Sequence, residues 1–580
     1  MSKQGGRTNA RNAGKSVADP RTILGFFILG LVFLAVVAVN VGVRVSRAIT
    51  GVPEEIPANP MQVLFMVAAG KLDFTTPAIV TSIAIAAIAA SAAIIVALQR
   101  TAKPKPVVDT AAKHLASLSD IKSLSKDAAA AKAAKWLPAE LAPDYPGLRM
   151  GKVPGTTTGL YSTWEDLYLV IFGPRMGKTT SQVIPAIVDA PGPVLTTSNK
   201  RDIIDETIGI TGPRGTVYAF DPQRIAYGFE QEPWFYDPLD LVRREEATMD
   251  AAATELADIF KCASQGENSG GDAFFANQAT DLLSRLFLAA AVDNRPITDV
   301  FKWVNDDSDR TPVRLLEQHG WSMQAEALQG QYNTTEKTRS GFFSQASQIA
   351  MPLGRREAAR WITPTEGARK FDPDAFVRSA HDTLYILSKE GADNAAALTT
   401  ALTAAVMKSA EAYGEANGGR LPVPLVAPLD EAANVVRWPQ LPRLYSHYGS
   451  RSIILMTILQ SYAQGVSVWG EEGMEALWSA SAILLYGGGV RDEKMLQKME
   501  ALIGDFEEWT ESVSISQGNR SVSRSTREKK ILTVAELASL GDNRAVVFAA
   551  KRRPLIAQLE PFWERTYWSE DIKAALPGLK

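Results

Sequence analysis

Leu167-Tyr-Leu-Val-Ile-Phe-Gly-Pro-Arg-Met-Gly-Lys-Thr-Thr180 is the stretch on which the reading of this chain turns. Its apolar half, Leu167–Phe172, predicts a buried strand. The remainder (Gly173, Pro174, Arg175, Met176, Gly177, Lys178, Thr179 and Thr180) predicts a phosphate-binding loop opening a helix. Small residues let backbone N–H groups close around phosphate oxygens, and the dipole at a helix start favours the anion. In such a loop Lys178 reaches the β- and γ-phosphates, and the Thr179 hydroxyl is a Mg²⁺ ligand. The spacing departs from the usual pattern. Gly173 lies four positions before Gly177 where five are expected, and Phe172 stands where the first glycine would be. The Gly-Lys-Thr-Thr core is intact.

Far downstream, the apolar run Leu425–Leu429 ends in Asp430-Glu431. Paired with the loop, this supplies an acid to hold the metal (Asp430) and one to polarise a water (Glu431). Pro424 and Pro428 in the run predict a short or irregular strand, since proline cannot donate to a ladder. Other candidate strands are Val194–Thr197, Val217–Phe220, Thr383–Leu387, Ile453–Leu459, Ile483–Tyr486 and Ala545–Ala549. Alternating with helical patterns, they predict a parallel α/β sheet. Ligands of such sheets bind beyond the carboxyl ends of the strands, where Gly173 and Asp430 both fall. Gln460 ends another strand and is a candidate to touch the γ-phosphate or the attacking water. Arg451, ahead of Arg437 and Arg339, is the candidate arginine finger for an adjacent subunit's site. Asn199-Lys200-Arg201-Asp202 spells a guanine-selecting signature, but it ends the strand directly after the loop, which is the wrong place; ATP is the expected nucleotide. The Leu-Ser-Gly-Gly-Gln signature of ABC-type transporters is absent.

At 580 residues the chain is too long for a single core. A net charge of −3 gives no global basic field that would advertise nucleic acid. One cysteine, Cys262, and four scattered histidines argue against an intrachain disulfide and against a structural zinc site. Ile23–Val43 is apolar for roughly 31 Å of helix, about one hydrocarbon core. Pro77–Leu98, richer in alanine, is a second candidate span. Lys3, Arg7, Arg11, Lys15 and Arg21 precede the first; Arg100, Lys103, Lys105 and Lys113 follow the second. This bias predicts a multi-pass protein with both termini cytoplasmic. Thr101–Lys152 reads as a linker: Lys-Pro-Lys-Pro first, then an Ala/Lys/Ser helix-forming stretch, then Pro138, Pro143 and Pro146. Leu241–Lys370 lacks strand character and predicts helices at Ala251–Phe260, Ala276–Ala291, Ile297–Val304, Thr311–Gln318 and Ser340–Ala350. Ser512–Lys530 is serine-rich and basic, with Arg520, Arg524, Arg527, Lys529 and Lys530, and reads as a solvated hairpin or, in the alternative, a contact for a phosphate backbone.

The order of these motifs carries a resemblance. After two spans come Arg149-Met-Gly-Lys152, the loop, Phe220-Asp-Pro222 and Tyr236-Asp-Pro-Leu239. Then follow Phe274-Phe-Ala-Asn-Gln-Ala-Thr-Asp-Leu-Leu283, Thr383-Leu-Tyr-Ile-Leu-Ser388, Leu429-Asp-Glu-Ala-Ala-Asn434, and Arg451 through Gln460-Ser461. The chain resembles a type IV coupling protein, the membrane ATPase of conjugative DNA transfer and type IV secretion. The departures are the shortened loop, the prolines before Asp430, and Thr196-Thr-Ser-Asn-Lys200, where many members show an acidic residue.

The resemblance implies a RecA-like P-loop ATPase motor (107–242 and 371–580), an inserted all-α domain (243–370) and a two-helix transmembrane anchor (1–106). It also implies a homo-hexamer in the bacterial inner membrane, using ATP and Mg²⁺. The expected work is to recruit relaxase-bound single-stranded DNA to a secretion channel and drive its translocation. The alternative is a receptor for protein substrates that pumps no DNA. A chromosome-partitioning translocase would need a duplex-reading winged domain, and Val534–Lys580 shows no helix–turn–helix pattern.

Overall fold

The computed structural model describes residues 20–51, 55–101, 107–264, 273–389, 395–516 and 519–576. Lys3, Arg7, Arg11, Lys15, Lys103 and Lys105 lie outside the described residues, as do the side chains of Arg21, Arg100, Arg520 and Arg524. The chain divides into two compact units, Met1–Lys105 and Pro106–Lys580.

The first unit is helical: Pro20–Thr50, the short Pro60–Ala68, and Thr76–Thr101. Among the described residues one helix, over Val32–Thr50, is long and apolar enough to cross a membrane; the apolar stretch Thr76–Ala92 is shorter. The two long helices meet where side chains are small. A Cβ on Gly42 would stand 2.3 Å from Ser82 Oγ and 2.7 Å from the Ala78 carbonyl oxygen. The Ser82 hydroxyl crosses the gap and donates to the Ala38 carbonyl at 3.0 Å.

The second unit is built on strands β1 (Arg149–Lys152), β2 (Gly159–Tyr161), β3 (Tyr168–Ile171), β4 (Val194–Ser198), β5 (Val217–Phe220), β6 (Trp234–Phe235), β7 (Arg369–Lys370), β8 (Thr383–Leu387), β9 (Leu425–Leu429), β10 (Ile453–Leu459), β11 (Ile483–Tyr486), β12 (Asp505–Ser516), β13 (Asn519–Lys530), β14 (Arg544–Ala549) and β15 (Leu555–Gln558). Eleven of them form one sheet in the order β2-β1-β15-β14-β11-β3-β10-β9-β4-β8-β5. From β11 to β5 every pairing is parallel; β14, β15, β1 and β2 extend the sheet in antiparallel fashion. The parallel strands are covered on both faces, so they read as unbroken apolar runs rather than alternating ones.

In register, β10 lies between β3 and β9, with Thr457 opposite both Leu169 and Leu429. The carboxyl ends of these three strands therefore finish side by side. β9 is neither short nor irregular along β10, contrary to expectation: all five of its residues pair there. The proline is felt on the other edge, where pairing with β4 is confined to Val194 opposite Val426 and Thr197 opposite Leu429. There the Thr196 hydroxyl donates to the Pro428 carbonyl at 2.9 Å, replacing part of the missing ladder.

The structure fills out two further stretches. In the stretch read as a linker, the helix-forming middle folds as helices over Leu118–Ser123 and Lys126–Trp136, capped by Ser117 and Ser125, and the stretch ends in β1. Its alanines are small enough to pack, and Ala129 and Ala133 are buried. Between β5 and β8 the expected helices form as Met249–Ser264, Ala273–Val292, Thr298–Val304, Thr311–Gln318 and Glu336–Ile349, joined by the unforeseen Ser322–Tyr332 and Arg356–Ile362. These helices share a core with the sheet: Phe260, Leu282 and Leu286 belong to one cluster with Leu384, Ile386 and Leu425. The basic stretch lies in the antiparallel hairpin β12–β13.

Candidate nucleotide site

β3 delivers the chain to the loop at Phe172, which is fully buried. Its ring occupies the space above Gly487, where a Cβ would come within 2.2 Å of it. The missing first glycine of the loop is thus answered across the sheet by glycines after β11. Gly173 donates its N–H to the Gly488 carbonyl at 2.9 Å. A Cβ on Gly173 would meet the Gly489 carbonyl oxygen at 2.2 Å, so the two backbones approach as only glycine allows. Arg175 and Gly177 take positive φ (63° and 79°), turning the loop toward the helix that Lys178 begins. The hydroxyls of Thr180 and Ser181 bond back to the Gly177 carbonyl at 3.1 and 2.7 Å.

The acids arrive from β9. Asp430 and Glu431 are 3 % and 5 % exposed. Glu431 sits in the left-handed region (φ 54°, ψ 41°), an uncommon conformation for a residue with a side chain, and it turns the strand at once into the helix Ala432–Val435. The Thr197 hydroxyl at the end of β4 holds the Asp430 carbonyl at 2.6 Å.

The two distant stretches meet. The Lys178 ammonium lies 3.1 Å from Asp430 Oδ1 and donates a hydrogen bond to Glu431 Oε1. The Thr179 hydroxyl donates to Asp430 Oδ2 at 3.1 Å. Gln460, at the end of β10 between loop and acids, donates from Nε2 to the same Glu431 oxygen at 2.8 Å. Asn434 reaches the other Glu431 oxygen at 3.5 Å. Burial pulls the Lys178 pKa down, but the charges of Asp430 and Glu431 and their hydrogen bonds outweigh it, so the ammonium is held above its ordinary value. Burial pushes the Asp430 carboxyl above the ordinary carboxylate range and the Glu431 charge adds to this, against the pull of Lys178 and Thr179.

Of the residues singled out in the sequence, Lys178, Thr179, Asp430, Glu431 and Gln460 come together, and Gly173 to Thr180 form the surrounding loop. Arg451 does not join them. It precedes the opposite end of β10, roughly 23 Å away along a seven-residue strand. There it pairs with Glu411 and, at 2.9 Å, with Glu415. Sequence reasoning missed the glycines after β11, the Thr197 hydroxyl and Asn434. Three consecutive glycines at Gly487–Gly489 were the available signal.

The oxygens of Thr179 and Asp430 suit a hard cation, and Mg²⁺ is commonly held by one or two protein oxygens with phosphates and water completing its shell. No group of three or more His, Cys, Asp or Glu among the described residues would hold a metal unaided. The donor set therefore fits Mg²⁺ arriving with a nucleotide.

Loop, acids and strand order together make a large mixed α/β sheet that resembles the fold of P-loop ATPases. Residues 424–542 match the family described as the TraM recognition site of TraD and TraG. Among solved structures, the chain is similar to the bacterial conjugative coupling protein TrwBdeltaN70 in its unbound monoclinic form, at 18 % identity, a TM-score of 0.51, and coverage of 68 % of this chain and 84 % of that one. It is also similar to plasmid coupling protein TrwB in complex with ADP and Mg²⁺, at 17 % identity, a TM-score of 0.50, and coverage of 70 % and 87 %. No curated protein matches the chain. The resemblance to a type IV coupling protein thus holds in sequence over the segment carrying Asp430, Glu431 and Gln460, and in fold over 68 % of the chain.

Proposed function

We propose that this chain is a membrane-anchored ATPase that couples a relaxase-bound single strand of DNA to a type IV secretion channel and drives its passage. The observation that carries the enzymatic part is the convergence of Lys178, Thr179, Asp430, Glu431 and Gln460, drawn from three adjacent strands, on one point. The choice of DNA as cargo rests on the likeness to conjugative coupling proteins and on the match over residues 424–542.

The residues divide the work as follows. The loop amides and Lys178 bind the phosphates. Lys178 now neutralises both acids, so its transfer to a γ-phosphate frees Glu431 to take a proton from the attacking water. Gln460 holds Glu431 Oε1 throughout and fixes the carboxylate's direction. Mg²⁺ bound between Thr179 and Asp430 would offset charge on the phosphate oxygens. Arg451 stands too far away to serve its own subunit's site, so it acts, if the ring forms, on a neighbour's. The helix over Val32–Thr50 and the apolar Thr76–Ala92 form the two-helix anchor, with the motor in the cytoplasm and homo-hexamer assembly around the DNA.

The test is ATP turnover by the full chain in detergent, at several protein concentrations, with and without single-stranded DNA. Concentration-dependent, DNA-stimulated hydrolysis supports the proposal. Hydrolysis that ignores DNA and answers to a secreted protein substrate supports the receptor alternative.

A further inference from the structure

The helix that follows the phosphate loop is not regular. Thr179–Val183 makes a wider turn, closed by the Ile184 N–H bonding to the Thr179 carbonyl five residues back. A reason lies in the sequence: the ordinary partner of the Ser181 carbonyl is the N–H four residues on, and that residue is Pro185, which has none. The carbonyl accepts instead from a side chain 384 residues away in sequence. Arg565 Nη2 donates to it at 2.8 Å.

Arg565 is 1 % exposed, an unusual burial for a guanidinium, and its other contacts explain how it is tolerated. Nη2 also donates to the Arg149 carbonyl and Nε to the Glu560 carbonyl, both at 3.3 Å. Nη1 bonds the Tyr567 hydroxyl and lies 3.5 Å from Asp189. Asp189 ends the loop helix and accepts from Tyr567 OH at 2.7 Å and Trp568 Nε1 at 2.6 Å. Around this network Phe562, Trp568 and Leu576 pack on Ile184 and Val188 of the same helix. The segment from Glu560 to Leu576 therefore packs along the phosphate-loop helix, and among the described residues its direct hydrogen bond to the irregular turn is made by Arg565.

We propose that Arg565 is a positioning residue for the nucleotide: it supplies the donor that Pro185 withholds, and so sets the first turn from which Lys178 and Thr179 project. The proposal rests on the loop binding a nucleoside triphosphate. It makes the C-terminal segment a part of the nucleotide site that touches no nucleotide.

The test is a cycle in the full chain, reading KM for ATP, kcat and Tm. Removing Arg565 alone would strand a buried carboxylate, so Arg565→Met is combined with Asp189→Asn, whose Oδ1 can still accept from Trp568 Nε1 while its Nδ2 donates to the Tyr567 hydroxyl oxygen. Asp189→Asn alone is expected to lower Tm and leave KM unchanged. Asp189→Asn/Arg565→Met is expected to raise KM about tenfold or more, the loss of one charge-assisted hydrogen bond. Adding Pro185→Ala returns a backbone N–H to Ser181 and is expected to recover most of that loss. An unaltered KM in Asp189→Asn/Arg565→Met overturns the proposal, as does a triple variant no better than the double. Should the double variant fail to fold, the triple variant is the test: it is expected to fold with near wild-type KM, and weak nucleotide affinity in it overturns the proposal. If the wild-type chain itself binds no ATP, the assignment of the loop fails instead, and the two failures are told apart.

Discussion

Replacing Lys178 with Met removes the cation that touches two carboxylates exposed by only 3 % and 5 %. Breaking a buried ion pair by deleting one partner costs about 3–5 kcal/mol, because the remaining charge is left in a poor solvent. In the nucleotide-free protein that loss grows as the carboxylates ionise. The pH dependence follows from the direction of each shift. Lys178 is raised above the ordinary lysine value of 10.5, so its stabilising contribution is complete below that pH and disappears only above it. Asp430 is raised above the ordinary 3.8, so its cost grows as the pH climbs from there through its raised value. Without the ammonium the upward shift of Asp430 increases. The stability gap between Lys178→Met and wild type should therefore widen from pH 5 to pH 8. Adding Glu431→Gln, which removes one of the two charges, should narrow it at pH 8. Guanidinium unfolding followed by tryptophan fluorescence, without nucleotide or Mg²⁺, measures all three. A Lys178→Met protein as stable as wild type at pH 8 would refute the ion-pair account of the resting site.

Three other outcomes are expected. Glu431→Gln should keep nucleotide binding and lose about 10²–10⁴-fold in ATP turnover, the usual worth of a general base; unchanged turnover in steady-state assays would assign the proton transfer elsewhere. Gln460→Ala releases Glu431 Oε1 and should lower kcat about tenfold with little change in KM, as expected of one hydrogen bond to a charged group. Gly487→Ala would place a Cβ 2.2 Å from the Phe172 ring and should cost about 1–3 kcal/mol by overpacking, read as a lower denaturation midpoint.

The strands were legible because a parallel sheet buried on both faces writes itself as short apolar runs, and those from Val217–Phe220 to Ile483–Tyr486 stand where the pattern placed them. The pairing of Lys178 with Asp430 and Glu431 was legible because both lie just past such runs. What escaped the sequence depends on contacts between distant residues. The Gly487–Gly489 run looks like any loose turn until Phe172 is found lying against it. Pro428 signalled a broken strand because the Thr196 hydroxyl that relieves it belongs to β4. Before β1 the helix-forming composition was legible but the packing was not, because alanine carries little apolar signal, yet its small size is what lets Ala129 and Ala133 sink into the core. Arg565 gave no signal at all; its role follows from a proline far upstream in the chain.

Calorimetric titration of the full chain with ATP, in Mg²⁺ and in EDTA, compared with Lys178→Met and Asp430→Asn, tests the account at its centre. One pocket built from both stretches predicts Mg²⁺-dependent binding to wild type, loss of binding in Lys178→Met, and loss of the Mg²⁺ dependence in Asp430→Asn. ATP binding that is indifferent to both substitutions would contradict it.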